Sequence, residues 1–376
     1  MTLVARITLG GAPFLIADAL LSSENLANRY ETGPECRLPF IGEINSRLAA
    51  TGHSFRVSLC QKLHVFEGRL AVGWSSNDAL QAERALKVLR DVAKKNDLTF
   101  DDVREALDAI VPEQIKDLKL IGLILRDVDG NQISASVFSH DAVTKEVSGF
   151  GEVRAAGSGV NTFIEVLRNG ETTEPTATPA NDPWVALGVL GSLLNHELST
   201  GQSIEERWGG AYEAVSYSRQ TSRLEKLDNV LHTFWSWRDG KLEFQTRFYF
   251  AKYFGELLAL RSVEYEIAEC KLNMRPLSDY VTLVPSQLRE LRSEDRESIG
   301  HVEFSFDYIC CHVWIHESGQ KSPKGAIILA GPKGGDYDVE VSIAEDGSLL
   351  RLTIPSGTQE NVLDAVNRQA ETEFAR

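Results

Sequence analysis

The feature that most constrains the fold is a hydrophobic period that switches from two to 3.6 and back along the first two-thirds of the chain. Apolar runs at 2–8 and 13–17 flank Leu9-Gly10-Gly11-Ala12, the composition of a tight hairpin turn. Strand-compatible runs follow at Phe55–Cys60, 62–66 and Arg69–Trp74, with Gly68 in the turn between the last two. From Asp78 to Lys94, Ala79, Leu80, Ala82, Leu86, Leu89 and Ala93 recur at helical spacing with charges opposite, which predicts a helix laid on a sheet. A shorter helix is expected at Phe100–Ile110, with Thr99 and Asp101 near its start. Strands return at Leu118–Arg126, Gln132–Ser139 and Glu152–Ala156, with a hairpin turn at Asp129-Gly130-Asn131. Helices are predicted at Val160–Leu167 and Trp184–Leu198, divided by a Thr/Pro-rich loop at 171–183. The second is apolar nearly all round and should be buried. Tyr212–Arg219, Leu231–Arg238 and Leu242–Tyr249 read as strands, and 250–262 fits strand or helix. Residues 301–354 alternate like antiparallel strands, and Gln359–Phe374 reads as a closing helix.

This order puts helices on both outer faces of antiparallel sheets. It predicts an α+β fold: a four-layer αββα sandwich over residues 1–220, then a β-rich C-terminal extension or second domain over 221–376. The polar stretch 22–61 reads as an insertion or lid loop, with one short helix near 42–50. A chain of 376 residues exceeds the usual single-domain size, in keeping with two parts.

The formal net charge is −15, and no Lys/Arg cluster is long enough to neutralise a run of phosphates, so nucleic acid is not an expected partner. Arg6 and Asp18 interrupt the apolar N-terminal stretch, and no run reaches the roughly 18 to 20 apolar residues that a membrane span needs. Five cysteines (Cys36, Cys60, Cys270, Cys310, Cys311) are odd in number and irregularly spaced, which suits reduced cytoplasmic thiols better than a disulfide framework. No zinc pattern is visible, and no metal or cofactor is expected. Cys310-Cys311-His312 with His316 raises a thiol nucleophile or a metal, but strand alternation puts neighbouring side chains on opposite faces. Trp184, Trp208, Trp235, Trp237 and Trp314 read as core or interface residues.

Thr2 carries the first chemistry. An initiator Met before a small residue is normally removed, which leaves threonine with a free α-amine. Its hydroxyl can then attack a carbonyl while its own amine, with a pKa of about 8, acts as base. The segment Thr2-Leu-Val-Ala-Arg-Ile, Gly10-Gly11 and Phe14-Leu-Ile-Ala-Asp18 resembles the opening of proteasome β-subunits and of the related bacterial ATP-dependent protease, N-terminal-nucleophile hydrolases. There a nucleophilic Thr begins the first strand and an acid closes the second. The resemblance spans about residues 2–220. It implies that Asp18 pairs with Lys62, whose charge favours the neutral amine as base and steadies the alkoxide. It implies that Gly73, in Arg69-Leu-Ala-Val-Gly73, gives its N–H to the oxyanion. Ala156-Gly157-Ser158-Gly159 is similar to the family's glycine-serine-glycine element, whose serine lies near the nucleophile's amine. His196-Glu197-Leu198-Ser199-Thr200-Gly201 resembles its Asp-x-x-Ser-Gly ending of the long buried helix, with Glu197 and Thr200 in the acid's and serine's places. By the same analogy His64 and His196 fall near the site.

Each element also has an ordinary reading: a strand end at Asp18, a solvated Lys62, a turn at Gly157–Gly159 and a helix cap at Thr200-Gly201. Three functions stay open. The first is a threonine-type peptidase or amidohydrolase acting on a peptide or small amide. The second is a non-catalytic proteasome-like scaffold whose C-terminal region binds a protein partner. The third is a small-molecule amidase with a deep pocket capped by 22–54. The family's ring assembly makes a homo-oligomer an expectation of the resemblance.

Overall fold

The computed structural model of the protein describes residues 2–9, 12–23, 36–127, 133–169, 183–265, 276–287, 291–297, 305–317, 319–320, 323–343 and 350–373. The fold is α+β, with several antiparallel sheets. Two units divide it: Met1–Leu227 with Val284–Leu291, and Asp228–Leu283 with Arg292–Arg376. The boundary expected at 220/221 falls between two paired strands of the first unit.

The first unit opens with β1 (Leu3–Leu9) and β2 (Ala12–Asp18), antiparallel with Val4 opposite Ala17. Both faces of β1 are covered: Leu3, Ala5 and Ile7 are buried on one, Val4 on the other. That explains why its sequence is nearly continuously apolar rather than alternating. Within the expected lid, β3 (Leu20–Ser23), β4 (Arg37–Leu38), β5 (Gly42–Glu43), α1 (Ile44–Ala50) and β6 (Arg56–Leu59) form local structure. β3 pairs with β6, and Leu20, Leu38, Ile44, Leu48, Phe55 and Val57 make a small core with Ile204. The described part of 22–61 is therefore a packed subregion. Residues 24–35 of it, the Gly10-Gly11 and Asp129–Asn131 turns and most of the 171–183 loop lie outside the described residues.

β7 (Leu63–Phe66) and β8 (Leu70–Ser75) lead into α2 (Ala79–Val92) and α3 (Phe100–Asp108). α3 starts at Thr99, whose hydroxyl accepts from the Asp102 N–H while the Asp102 carboxylate accepts from the Thr99 N–H at 2.9 Å. The reciprocal cap thus uses Asp102, three residues on, rather than Asp101. The chain continues through β9 (Lys119–Asp127), β10 (Ile133–His140), β11 (Val143–Val147) and β12 (Gly151–Gly157) to α4 (Val160–Asn169), α5 (Pro183–Thr200), α6 (Gln202–Glu205), β13 (Tyr212–Ser218) and β14 (Arg223–Lys226).

These strands make a six-stranded sheet in the order β11-β12-β1-β2-β13-β14 and a four-stranded sheet in the order β10-β9-β8-β7. Val4, Leu15, Ala17, Ala156 and Val215 of the first pack on Leu63, Ala71, Ile121 and Leu123 of the second. The other face of the four-stranded sheet takes Ala82, Ala85, Leu86 and Leu89 of α2 and Val103 of α3 against Leu70, Val72, Trp74 and Leu120. α4 lies against β11 and β12, and α5 against β2 and β13.

The second unit is built on a sheet in the order β18-β17-β16-β15-β19-β20, from β15 (Val230–Arg238), β16 (Lys241–Phe254), β17 (Leu257–Tyr265), β18 (Pro276–Pro285), β19 (Tyr308–His316) and β20 (Gly325–Pro332). The ambiguous stretch 250–262 is strand on both sides of a turn at Gly255, where φ is +58°. β15 and β19 run parallel, in register from Val230 opposite Tyr308 to Arg238 opposite His316. Alternation within each strand gave no sign of this, since it reports which face is buried and not which neighbour is chosen. A hairpin of β21 (Glu340–Ile343) and β22 (Leu350–Thr353) follows, and α7 (Ser356–Glu373) lies against β20.

Candidate functional site

The β1–β2 register puts Asp18 level with the start of the chain. Its Oδ1 accepts from the Thr2 hydroxyl at 2.6 Å and from the Leu3 N–H at 2.8 Å. Lys62, just before β7, brings Nζ to the same oxygen at 2.6 Å and also donates to the Leu20 carbonyl. Its backbone N–H donates to Glu213 at 2.7 Å, which fixes the root of the side chain. The other carboxylate oxygen of Asp18 accepts from the Gly209 N–H at 2.6 Å. Thr2, Asp18 and Lys62 are each 0% exposed. Burial pulls the Lys62 ammonium below its ordinary value, and the Asp18 charge opposes that pull.

Glu197 reaches in from α5. Its Oε2 accepts from the Gly210 N–H at 2.8 Å, the Tyr212 hydroxyl at 2.9 Å and the Ser203 hydroxyl at 3.1 Å. Burial pushes its carboxyl up to about 7 against those three bonds. Asp18 and Glu197 are thus held by consecutive amides, those of Gly209 and Gly210. Both glycines have left-handed φ, +104° and +84°, and a Cβ on Gly209 would stand 2.0 Å from Glu197 Oε2. No other residue fits there without moving the acid.

The Gly157-Ser158-Gly159 loop closes over the other side of Thr2. The Gly159 N–H donates to the Thr2 carbonyl at 3.4 Å, and a Cβ on Gly157, where φ is +109°, would fall 1.7 Å from that carbonyl oxygen. The Ser158 hydroxyl is buried, with no hydrogen-bond partner among the described residues.

Thr2, Asp18 and Lys62 are joined directly, Ser158 belongs to the loop touching Thr2, and Glu197 is linked to Asp18 through Gly209-Gly210. Two further residues stand elsewhere. Thr200 is exposed at the end of α5, where its hydroxyl donates to the His196 carbonyl at 2.9 Å and accepts from the Gln202 N–H. The hydroxyls on Glu197 come instead from Ser203 and Tyr212. Gly73 is in the middle of β8, packed against Val4 and Leu63. The Trp74 N–H donates to the Lys62 carbonyl on the β7 side, so strand alternation turns the Gly73 N–H toward Ile121 of β9. Sequence reading missed Ser203, Gly209, Gly210 and Tyr212; the Gly209-Gly210 pair ahead of a strand was the available signal.

His196 stacks on Trp208 with centroids 6.2 Å apart, and burial lowers its pKa. Burial takes His64 to about 3, so its imidazole is neutral. Cys60 and His64, two residues either side of Lys62, line a cavity of about 280 Å³ with Trp74 and Leu86. Lys87, Arg90 and Glu83 of α2 supply its charged lining, and Ser286 and Gln287 complete the wall. A second, partly buried network starts from Gln61, next to Cys60: Lys226 Nζ donates to Glu213 at 2.8 Å and to Gln61 at 2.6 Å, and Gln61 donates to the Val284 carbonyl. The four described cysteines are free, and no described helix is long and apolar enough to cross a membrane.

No protein-family model and no curated protein matches this chain. Among solved structures, the chain is distantly similar to one titled Anbu (Gly-1) mutant from Hyphomicrobium sp. strain MC1. The identity is 12%, with 60% of this chain and 86% of that one covered and a TM-score of 0.35.

Proposed function

We propose that this chain is a threonine-type N-terminal-nucleophile hydrolase of peptide or amide bonds, built on a four-layer αββα sandwich, with Thr2 reactive once Met1 is removed. One observation carries the reading: the Thr2 hydroxyl and the Lys62 ammonium converge on a single buried oxygen of Asp18. A fully buried ion pair is a poor source of stability, because desolvating both charges costs about as much as their attraction returns. Its value here is positional. It fixes a hydroxyl and a cation side by side at the residue just ahead of the first strand.

Removal of Met1 frees the Thr2 amine, and Ser158, whose hydroxyl is buried without a partner among the described residues in the loop that touches Thr2, is assigned to bond it. The amine takes the hydroxyl proton as Oγ1 attacks the scissile carbonyl, and passes it to the leaving amine as the C–N bond breaks. The acyl ester left on Oγ1 is hydrolysed by water, which restores Thr2. Lys62 lowers the amine's proton affinity and offsets charge on the attacking oxygen, while Asp18 holds Lys62 in place.

A non-catalytic scaffold is favoured by two specific observations: the Gly73 amide is turned into the sheet, away from an oxyanion role, and Thr200 lies outside the cluster. Hydrolysis of fluorogenic peptide amides by protein beginning at Thr2 separates the two readings. The hydrolase predicts turnover that falls by about 10³-fold or more in Thr2→Ala and is partly kept in Thr2→Ser. Equal rates in wild type and Thr2→Ala would leave the scaffold.

A further inference from the structure

The second unit buries a cluster that the hydrolase reading does not use. Parallel in-register pairing sets His232 of β15 beside Cys310 of β19. His312, two residues on, lies on the face of Cys310, while Cys311 points away and accepts from the Thr233 hydroxyl. A ligand atom from each of His232, Cys310 and His312 lies within 4.8 Å of the others, and all three residues are buried. Nδ1 of His232 and Nε2 of His312 are 3.0 Å apart. Tyr249 stacks flat on His232 at 4.2 Å and Phe234 on His312 at 4.7 Å, which fixes both ring planes.

A hydrogen bond between the imidazoles accounts for only part of this. It gives the Cys310 thiol, on the same face and grouped with both rings, no role among the described residues. Tetrahedral or trigonal metal coordination at bond lengths of about 2.0 to 2.3 Å places N and S donors roughly 3.3 to 3.8 Å apart. The imidazole nitrogens are close to that separation already.

We propose that His232, Cys310 and His312 form a binding site for a thiophilic d¹⁰ cation, monovalent copper or zinc. Two imidazoles and a thiolate are a borderline-to-soft set that excludes magnesium and calcium. On binding, the Cys310 S–H bond breaks, its proton leaves to solvent and a metal–sulfur bond forms, with no change of oxidation state. Charge distinguishes the two ions. Among the described residues, the groups acting on the three ligands are Arg247, Cys311 and the ligands themselves, none of them a carboxylate. One thiolate neutralises Cu⁺ completely, whereas Zn²⁺ keeps a positive charge in an apolar interior and requires a fourth, anionic ligand. The three-coordinate set therefore favours monovalent copper. A site this buried fills as the chain folds.

The test uses the full chain. Elemental analysis after expression with both metals supplied is expected to give about one equivalent of copper or zinc per chain, and the ratio shows which ion the charge selects. The bound amount falls about tenfold or more in Cys310→Ser. Should that variant fail to fold, wild-type protein refolded anaerobically with copper(I) decides the matter alone, because thiolate ligation of copper(I) gives a near-ultraviolet charge-transfer band. Substoichiometric metal together with the absence of that band would overturn the site and leave a hydrogen-bonded histidine pair.

Discussion

The two units bury polar clusters of opposite kinds. In the first, Asp18 accepts from Thr2, Leu3, Lys62 and Gly209, so a fully buried charge has its acceptor sites filled by four donors from three places in the chain. In the second, His232, Cys310 and His312 are neutral: burial holds His232 well below its ordinary value, takes His312 to about 3 and keeps the Cys310 thiol protonated. A charge can be buried only with its partners in place, whereas neutral groups tolerate an unfilled valence at modest cost. The first cluster is complete as folded, and the second leaves one buried nitrogen, Nδ1 of His312, without a partner among the described residues.

The contrast predicts an order of energetic penalties. Lys62→Met strands the Asp18 charge and should cost about 3 to 5 kcal/mol in chemical denaturation. A loss under about 1 kcal/mol would break the comparison, because the Asp18 carboxylate would then be satisfied without Lys62. Glu197 comes next. Its carboxyl titrates near 7 folded and near 4.5 unfolded, so between those values the folded chain holds a proton that the unfolded chain has released. The stability it contributes is complete below about pH 4.5 and is lost as the pH rises through about 7. Glu197→Gln should flatten this slope, worth on the order of 3 kcal/mol, in denaturation midpoints compared across that range. An unchanged slope would assign it to another group.

In metal-free protein, His312→Leu should cost about 1 to 3 kcal/mol, since it strands only the neutral His232 nitrogen. A penalty above that of Lys62→Met would invert the comparison. The smallest effect belongs to the periphery of the first unit: Thr99→Ala removes one half of the α3 capping box and should cost about 1 kcal/mol by thermal melting.

Much of the first unit was legible because its signals are local. The β1–β2 hairpin is announced by two apolar runs around Gly10-Gly11, and α2 by its spacing from Ala79 to Leu89. Asp18 and Lys62 were found through a resemblance in motif order, since spacing alone does not bring residues 44 apart into contact. Thr200 is singled out by its place in the motif ending at Gly201, and only the turn of the chain after α5 brings Ser203 to Glu197 in its stead. β4, β5 and β14 were missed because strands of two to four residues carry no period. The His232–Cys310 pairing was invisible for a different reason. It depends on which strand β19 chose as its parallel neighbour, a choice made by the whole sheet.

The most direct test of the central claim is the intact mass of the purified chain before and after treatment with a peptide epoxyketone, which closes a ring on a threonine hydroxyl and its free α-amine together. The account predicts loss of Met1 and a single adduct that disappears in Thr2→Ala. A retained Met1, or a free Thr2 amine that forms no adduct, would contradict it.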